Sequence, residues 1–61
     1  LTNNATVKYL ASYRDIRYLN AVTMATMIYK EGDILFEDIN VKMAVSKDAN
    51  GKWQLNVEKI N

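Results

Sequence analysis

Residues 34–46 read ILFEDINVKMAVS, and their alternation of apolar and polar side chains is the clearest pattern in the chain. Leu35, Ile39 and Val41 share one parity with Met43 and Val45, whereas Asp38, Asn40 and Lys42 share the other. A period of two residues is typical of a β-strand with one apolar face. We therefore predict one long strand over residues 34–46.

The flanking segments extend this strand into a sheet. Residues 30–33 (KEGD) and 47–52 (KDANGK) each contain a glycine and predict turns, the second a hairpin around Asn50-Gly51. Beyond it, the alternation in WQLNVE predicts a strand over residues 53–58. Before the first turn, the β-branched run AVTMATMIY predicts a strand over residues 21–29.

The N-terminal third is compatible with two structures. As a strand, Val7, Tyr9 and Tyr13 fall on one parity; as a helix, Tyr9, Tyr13 and Ile16 lie one and two turns apart. The strand is favoured and gives a mainly β fold, a four-stranded antiparallel meander forming a curved sheet. The alternative is an α+β fold with an N-terminal helix on a three-stranded antiparallel sheet.

Size and composition restrict the class of protein. The chain has 61 residues, 49% of them hydrophobic, and a net charge of +1, so it is one small domain, residues 1–61, or a fragment of a larger domain. It has no Cys and no His, which excludes the usual zinc, haem and serine- or cysteine-nucleophile sites. We expect no enzyme, no cofactor and no metal. Neither the compartment nor a membrane span is indicated, and the first residue, Leu1, is consistent with processing or with a fragment boundary.

A sheet of this kind has two faces, and a domain needs a second layer to form a core. Small domains without disulfides or metals often obtain the missing stability from another chain. We therefore expect a structural or assembly module with a protein partner or a homo-oligomeric state. The core or interface anchors would be Trp53, Phe36, Ile39, Val41, Met43 and Leu55. The three methionines are interpreted as core filling.

A second hypothesis is a small nucleic-acid-binding β module. Basic and aromatic residues interleave near the N-terminus, a combination that neutralises phosphates and stacks bases. The candidate contacts, to nucleic acid or to a protein partner, are Lys8, Tyr9, Tyr13, Arg14, Arg17 and Tyr18.

The strand order from Ile16 onward and the turn motif Gly51-Lys52-Trp53 resemble the C-terminal sheet half of nuclear-transport-factor-two-like domains. In that family a curved antiparallel sheet closes with a Gly-Lys-Trp hairpin, and N-terminal helices pack into its concave face. Its members include assembly factors of conjugation and secretion machines as well as small-ligand enzymes. The resemblance implies a role in such an assembly, and no catalytic residue is carried over.

Overall fold

The computed structural model describes residues 4–60, which form an α+β fold. Helix α1 spans Asn4–Ala21 and is followed by a 3-10 helix, Thr23–Met27. Strands β1 (Ile34–Glu37), β2 (Val41–Lys47) and β3 (Trp53–Lys59) make an antiparallel sheet in the order β1-β2-β3. The fold is thus the predicted alternative, an N-terminal helix with a three-stranded antiparallel sheet, and the favoured four-stranded meander is wrong.

The N-terminal segment is helical because its buried side chains follow a helical period. Ser12, Ile16 and Leu19 are buried, four and three residues apart, on one face of α1. Tyr9 and Tyr13, which share a parity in the strand interpretation, are both exposed. The helix supplies the second layer that the sheet requires, and its own packing outweighs the weak local preference for a strand.

Residues 21–29, predicted as a strand, instead contain the 3-10 helix. Ala25 is buried, with Val22 and Tyr29 packed against the core, so the inward positions recur every three or four residues. Backbone bonds from Ala25 N–H to Val22 C=O and from Ile28 N–H to Ala25 C=O close the tight turns. The alternation of β-branched residues in this run therefore does not reflect two faces of a strand.

The long strand predicted over residues 34–46 is divided by a turn. The Asp38 carboxylate accepts hydrogen bonds from the backbone N–H groups of Asn40 (2.8 Å) and Val41 (2.9 Å). An Asp side chain that bonds the backbone two and three residues ahead favours a turn over a continued strand. Ile39 lies in this turn and is 79% exposed, so it is not a core residue, and its alternative role as an interface anchor stays a prediction.

Both turns that the sequence predicts, at residues 30–33 and 47–52, are confirmed. In residues 30–33 the Asp33 carboxylate accepts from Lys30 N–H at 3.0 Å, and Gly32 has a φ of +94°. In the β2–β3 hairpin Gly51 has a φ of +79°, and Asp48 accepts from the backbone N–H groups of Asn50 and Lys52. Both glycines occupy a left-handed conformation that other residues rarely adopt.

The core lies between α1 and one face of the sheet. Ile16 and Leu19 of the helix pack with Ala25, Val45 and Trp53. The β2–β3 register pairs Lys47 with Trp53 and Val41 with Lys59, so odd-numbered side chains face the helix and the polar Lys42, Gln54 and Asn56 lie on the other face. The layer that we expected from a partner is supplied on this face by the chain's own helix.

Candidate interaction surface

A groove of about 630 Å³ opens between helix α1 and the outer edge of strand β3. Its helical wall carries Tyr9, Tyr13 and Arg17, spaced four residues apart and therefore on one side of α1. Its other wall is residues 52–55, which are the last residue of the hairpin turn and the start of β3. The groove thus places aromatic and cationic side chains beside the backbone of a strand at the edge of the sheet.

Two tyrosine rings form an aromatic surface in this groove. The rings of Tyr9 and Tyr13 stack with their centroids 6.4 Å apart and their planes at 14°. Offset-stacked pairs at this separation are favourable, and a tyrosine presents an apolar ring together with a polar hydroxyl. Since both residues are exposed, 43% for Tyr9 and 51% for Tyr13, the rings are accessible to a partner.

Asn20 joins the helix to the edge of β3. Its side-chain Nδ2 donates to the Trp53 carbonyl at 2.9 Å, and its Oδ1 accepts from the Trp53 N–H at 3.0 Å. The amide therefore satisfies both outward backbone groups of Trp53, as a neighbouring strand would. One end of the β3 edge is closed in this way.

The Trp53 ring is buried under a cation. Lys47, directly opposite Trp53 in the register, places its Nζ 4.5 Å from the ring centroid. This is within the range of a cation–π interaction. The aliphatic part of the lysine also covers apolar surface while the ammonium group stays hydrated.

The six candidate contact residues all lie on α1 and are all exposed, but they do not form one surface. Tyr9, Tyr13 and Arg17 line the groove. Lys8, Arg14 and Tyr18 do not line it, because residues one position away on a helix are rotated by about 100°. The structure therefore brings together half of the predicted set.

The predicted anchors differ in burial. Trp53, Val41 and Met43 are buried, Phe36 and Leu55 are partly buried, and Ile39 is exposed. Leu55 is in addition a groove residue. Core filling is confirmed for Met43 and is wrong for Met24 and Met27, which are exposed on the 3-10 helix.

The sequence interpretation missed Asn20 and Lys47, both of which act on Trp53. The position of Lys47 directly across a hairpin from Trp53 was a usable signal, because the hairpin itself was predicted. Asn20 offered no comparable signal, since its partner is a backbone group 33 residues away.

Residues 4–60 contain neither a cluster of metal-ligating side chains nor a membrane-spanning helix. Among residues 4–60, no group of three or more acidic residues is arranged to hold a metal ion. No helix in the same range is both long and apolar enough to cross a bilayer.

The resemblance to nuclear-transport-factor-two-like domains stays a prediction. No family model, no curated protein and no solved structure matches this chain.

Proposed function

We propose that this chain is a non-catalytic assembly module that extends its sheet through contacts with other copies of the same chain. The observation that carries the proposal is the outer edge of β3, which no described strand pairs, beside the exposed rings of Tyr9 and Tyr13. The absence of His and Cys from the sequence removes the most common catalytic groups. The family resemblance extends the proposal to a secretion- or conjugation-type assembly.

An unpaired strand edge is a template for another chain. Its free N–H and C=O groups bind an added strand, and neighbouring side chains supply specificity. Here the groove provides both components, since the backbone of β3 forms one wall and Tyr9, Tyr13 and Arg17 form the other. An added strand would be held by main-chain bonds and by the aromatic rings.

Exposed apolar side chains also lie outside the groove. Beyond the groove tyrosines, large hydrophobic residues are exposed on α1, on the 3-10 helix and directly after it, and in the β1–β2 turn; among them are Val7, Leu10, Met24, Met27, Ile28 and Ile39. Single exposed apolar residues are ordinary, but contiguous ones mark interaction surfaces. Met24, Met27 and Ile28 are all exposed within five consecutive positions of the chain.

The experiment is sedimentation velocity of the full chain over a range of micromolar concentrations. We expect association that persists at high salt, because apolar contacts are not screened. Replacing both Tyr9 and Tyr13 by Ser should weaken it, while Tyr18→Ser, an exposed tyrosine outside the groove, should not. A folded monomer at every micromolar concentration would contradict the proposal.

A second candidate function is binding of single-stranded nucleic acid. It is favoured by the stacked Tyr9–Tyr13 pair with Arg17 one turn further on and Lys52 on the opposite wall of the groove. Aromatic rings stack bases, and cations neutralise phosphates.

The position of the two arginines gives this candidate a matched test. Arg17→Ala should weaken binding of a labelled single-stranded oligonucleotide and flatten its salt dependence, because one phosphate contact is lost. Arg14→Ala removes the same charge outside the groove and should change neither quantity. Equal effects of the two substitutions, or no binding by the native chain at low salt, would reject nucleic-acid binding in the groove.

A further inference from the structure

The hydrogen bonds of β3 show which of its backbone groups point outward. On the inner side, Asp48 N–H donates to the Lys52 carbonyl at 2.9 Å and Ile60 N–H donates to the Asn40 carbonyl at 2.8 Å. Residues of an antiparallel strand face their neighbour in alternation, so the even-numbered residues of β3 bond to β2. The odd-numbered residues face outward, and Trp53, bonded on both groups by Asn20, is the first of them.

Three residues of this edge remain after Trp53. Leu55, Val57 and Lys59 direct their N–H and C=O groups away from β2, and no described residue bonds them. The set is evenly spaced and symmetric about Val57. An edge with this symmetry matches a second copy of itself, because a twofold axis makes two identical strands antiparallel.

We infer that β3 pairs with β3 of a second copy about a twofold axis at Val57, joining two three-stranded sheets into one sheet of six strands. This inference rests on the proposed function and specifies the strand and the register through which the copies pair. It pairs Val57 with Val57 and Leu55 with Lys59 of the second copy. All three outward residues then form main-chain hydrogen bonds, and Trp53 is not required.

Twofold axes one residue to either side of Val57 would give less favourable strand pairs. An axis at Asn56 would pair Lys59 with the second copy's Trp53, whose outward groups Asn20 already occupies. An axis at Glu58 would place two glutamate side chains directly opposite each other, which destabilises a strand pair. The axis at Val57 avoids both problems, since Asn56 then lies opposite Glu58.

The side chains around this axis are suited to the contact. Val57 is on the helix-facing side of the sheet and is 39% exposed, so pairing with its copy removes apolar surface from water. Leu55 lies in the groove, and the second copy's Lys59 would enter beside it. The opposite edge is less suitable, because β1 has four residues and its register is broken by an irregularity between Ile34 and Phe36.

The register can be read with single cysteines, because the native chain has none. Val57→Cys, Asn56→Cys and Glu58→Cys are oxidised under identical conditions, and disulfide-linked dimer is measured on non-reducing gels and by mass spectrometry. Directly opposite residues in a hydrogen-bonded pair have Cα atoms about 5.5 Å apart, within disulfide range, whereas the copies of residue 56 or 58 would be about 7–8 Å apart. We expect Val57→Cys to cross-link at least about tenfold faster than either control.

The other cross-linking and sedimentation results separate failure of the inferred register from failure of the proposed function. Fastest cross-linking at residue 56 or 58 would overturn the inference and leave the proposed function in place. If the native chain sediments as a dimer and no cysteine cross-links, another surface associates, which overturns both the inference and the assignment of the contact to the edge of β3. A native chain that stays monomeric, with no cross-linking, would overturn both.

A charge variant tests the same axis without oxidation. Val57→Lys places two cations opposite each other in the dimer, and we expect it to abolish association in sedimentation. Ser46→Lys adds the same charge to the polar face of the sheet on the central strand β2, opposite Gln54 and away from the groove, and should leave association intact. Equal behaviour of the two variants would overturn the inference, provided that circular dichroism shows both to be folded.

Discussion

The two ends of strand β3 are built from the same backbone but differ in almost every contact. At the first end Trp53 is buried, Asn20 bonds its outward backbone groups, and Lys47 covers its ring. At the second end Val57 and Lys59 are exposed, and no described residue bonds their outward groups. Helix α1 thus completes the sheet edge at one end and leaves it open at the other.

This difference follows from where the helix packs. The side chains of α1 that reach the core, Ile16 and Leu19, cluster with Trp53 and Val45, whereas residues 6–11 of the helix are exposed. A strand edge that is closed contributes to stability, whereas an open edge is available for pairing. Substitutions at the first end should therefore change the free energy of unfolding, and substitutions at the second should change association.

The largest effect is expected at Trp53. Trp53→Ala should lower the free energy of unfolding by about 3–5 kcal/mol, because a large buried ring is lost and a cavity remains. The measurement is urea unfolding followed by circular dichroism, since the substitution removes the single tryptophan of the chain.

Two further variants allow the two ends of β3 to be compared even if Trp53→Ala does not fold. A domain of this length has a total stability of about 3–9 kcal/mol, so Trp53→Phe is the second variant if Trp53→Ala does not fold. Val57→Ala, on the same strand and face, should change stability by only about 0.5 kcal/mol in dilute solution. Equal losses at Trp53 and Val57 would show that the two ends of β3 are not energetically distinct.

The first end of β3 was partly predictable from the sequence. The Asn-Gly pair and the alternation after it identified the hairpin and the last strand, because both signals are local. The aromatic and basic residue types also placed Tyr9, Tyr13 and Arg17 among the candidate contact residues, and all three line the groove.

Non-local interactions account for the errors. Val22, Ala25 and Tyr29 face the core, at the spacing of a helical turn. The β-branched residues of this segment indicated a strand instead, because their local preference is for extended structure. Ile39 leaves the strand because the Asp38 carboxylate bonds the following backbone, an alternative that an alternating pattern does not reveal. Whether α1 or a partner covered the sheet depended on contacts between residues far apart in the chain.

An intermediate effect is expected at Asn20. Asn20→Ala removes both bonds to Trp53, and at about 0.5–1.5 kcal/mol each the loss is about 1–3 kcal/mol. The higher helix propensity of alanine offsets up to about 0.7 kcal/mol of it. Urea unfolding measures the net change, and Asp15→Ala, a similar truncation on the exposed face of α1, reports the propensity gain. If Asn20→Ala were as stable as Asp15→Ala, the amide would not hold the edge.

The smallest effect is expected from the cation above the Trp53 ring. Lys47→Met keeps an aliphatic side chain of similar length over the indole but removes the charge 4.5 Å from its centroid, and should cost about 0.5–1 kcal/mol. Lys47→Arg retains a cation and should cost less, while Lys52→Met removes a charge that is not above the ring and should change stability little. Urea unfolding monitored by tryptophan fluorescence compares the three. If Lys47→Met and Lys52→Met had the same free energy of unfolding, the lysine would act on the indole through its aliphatic chain alone. The closed end of β3 would then be stabilised by the Asn20 hydrogen bonds and by burial of Trp53, without a contribution from the charge of Lys47.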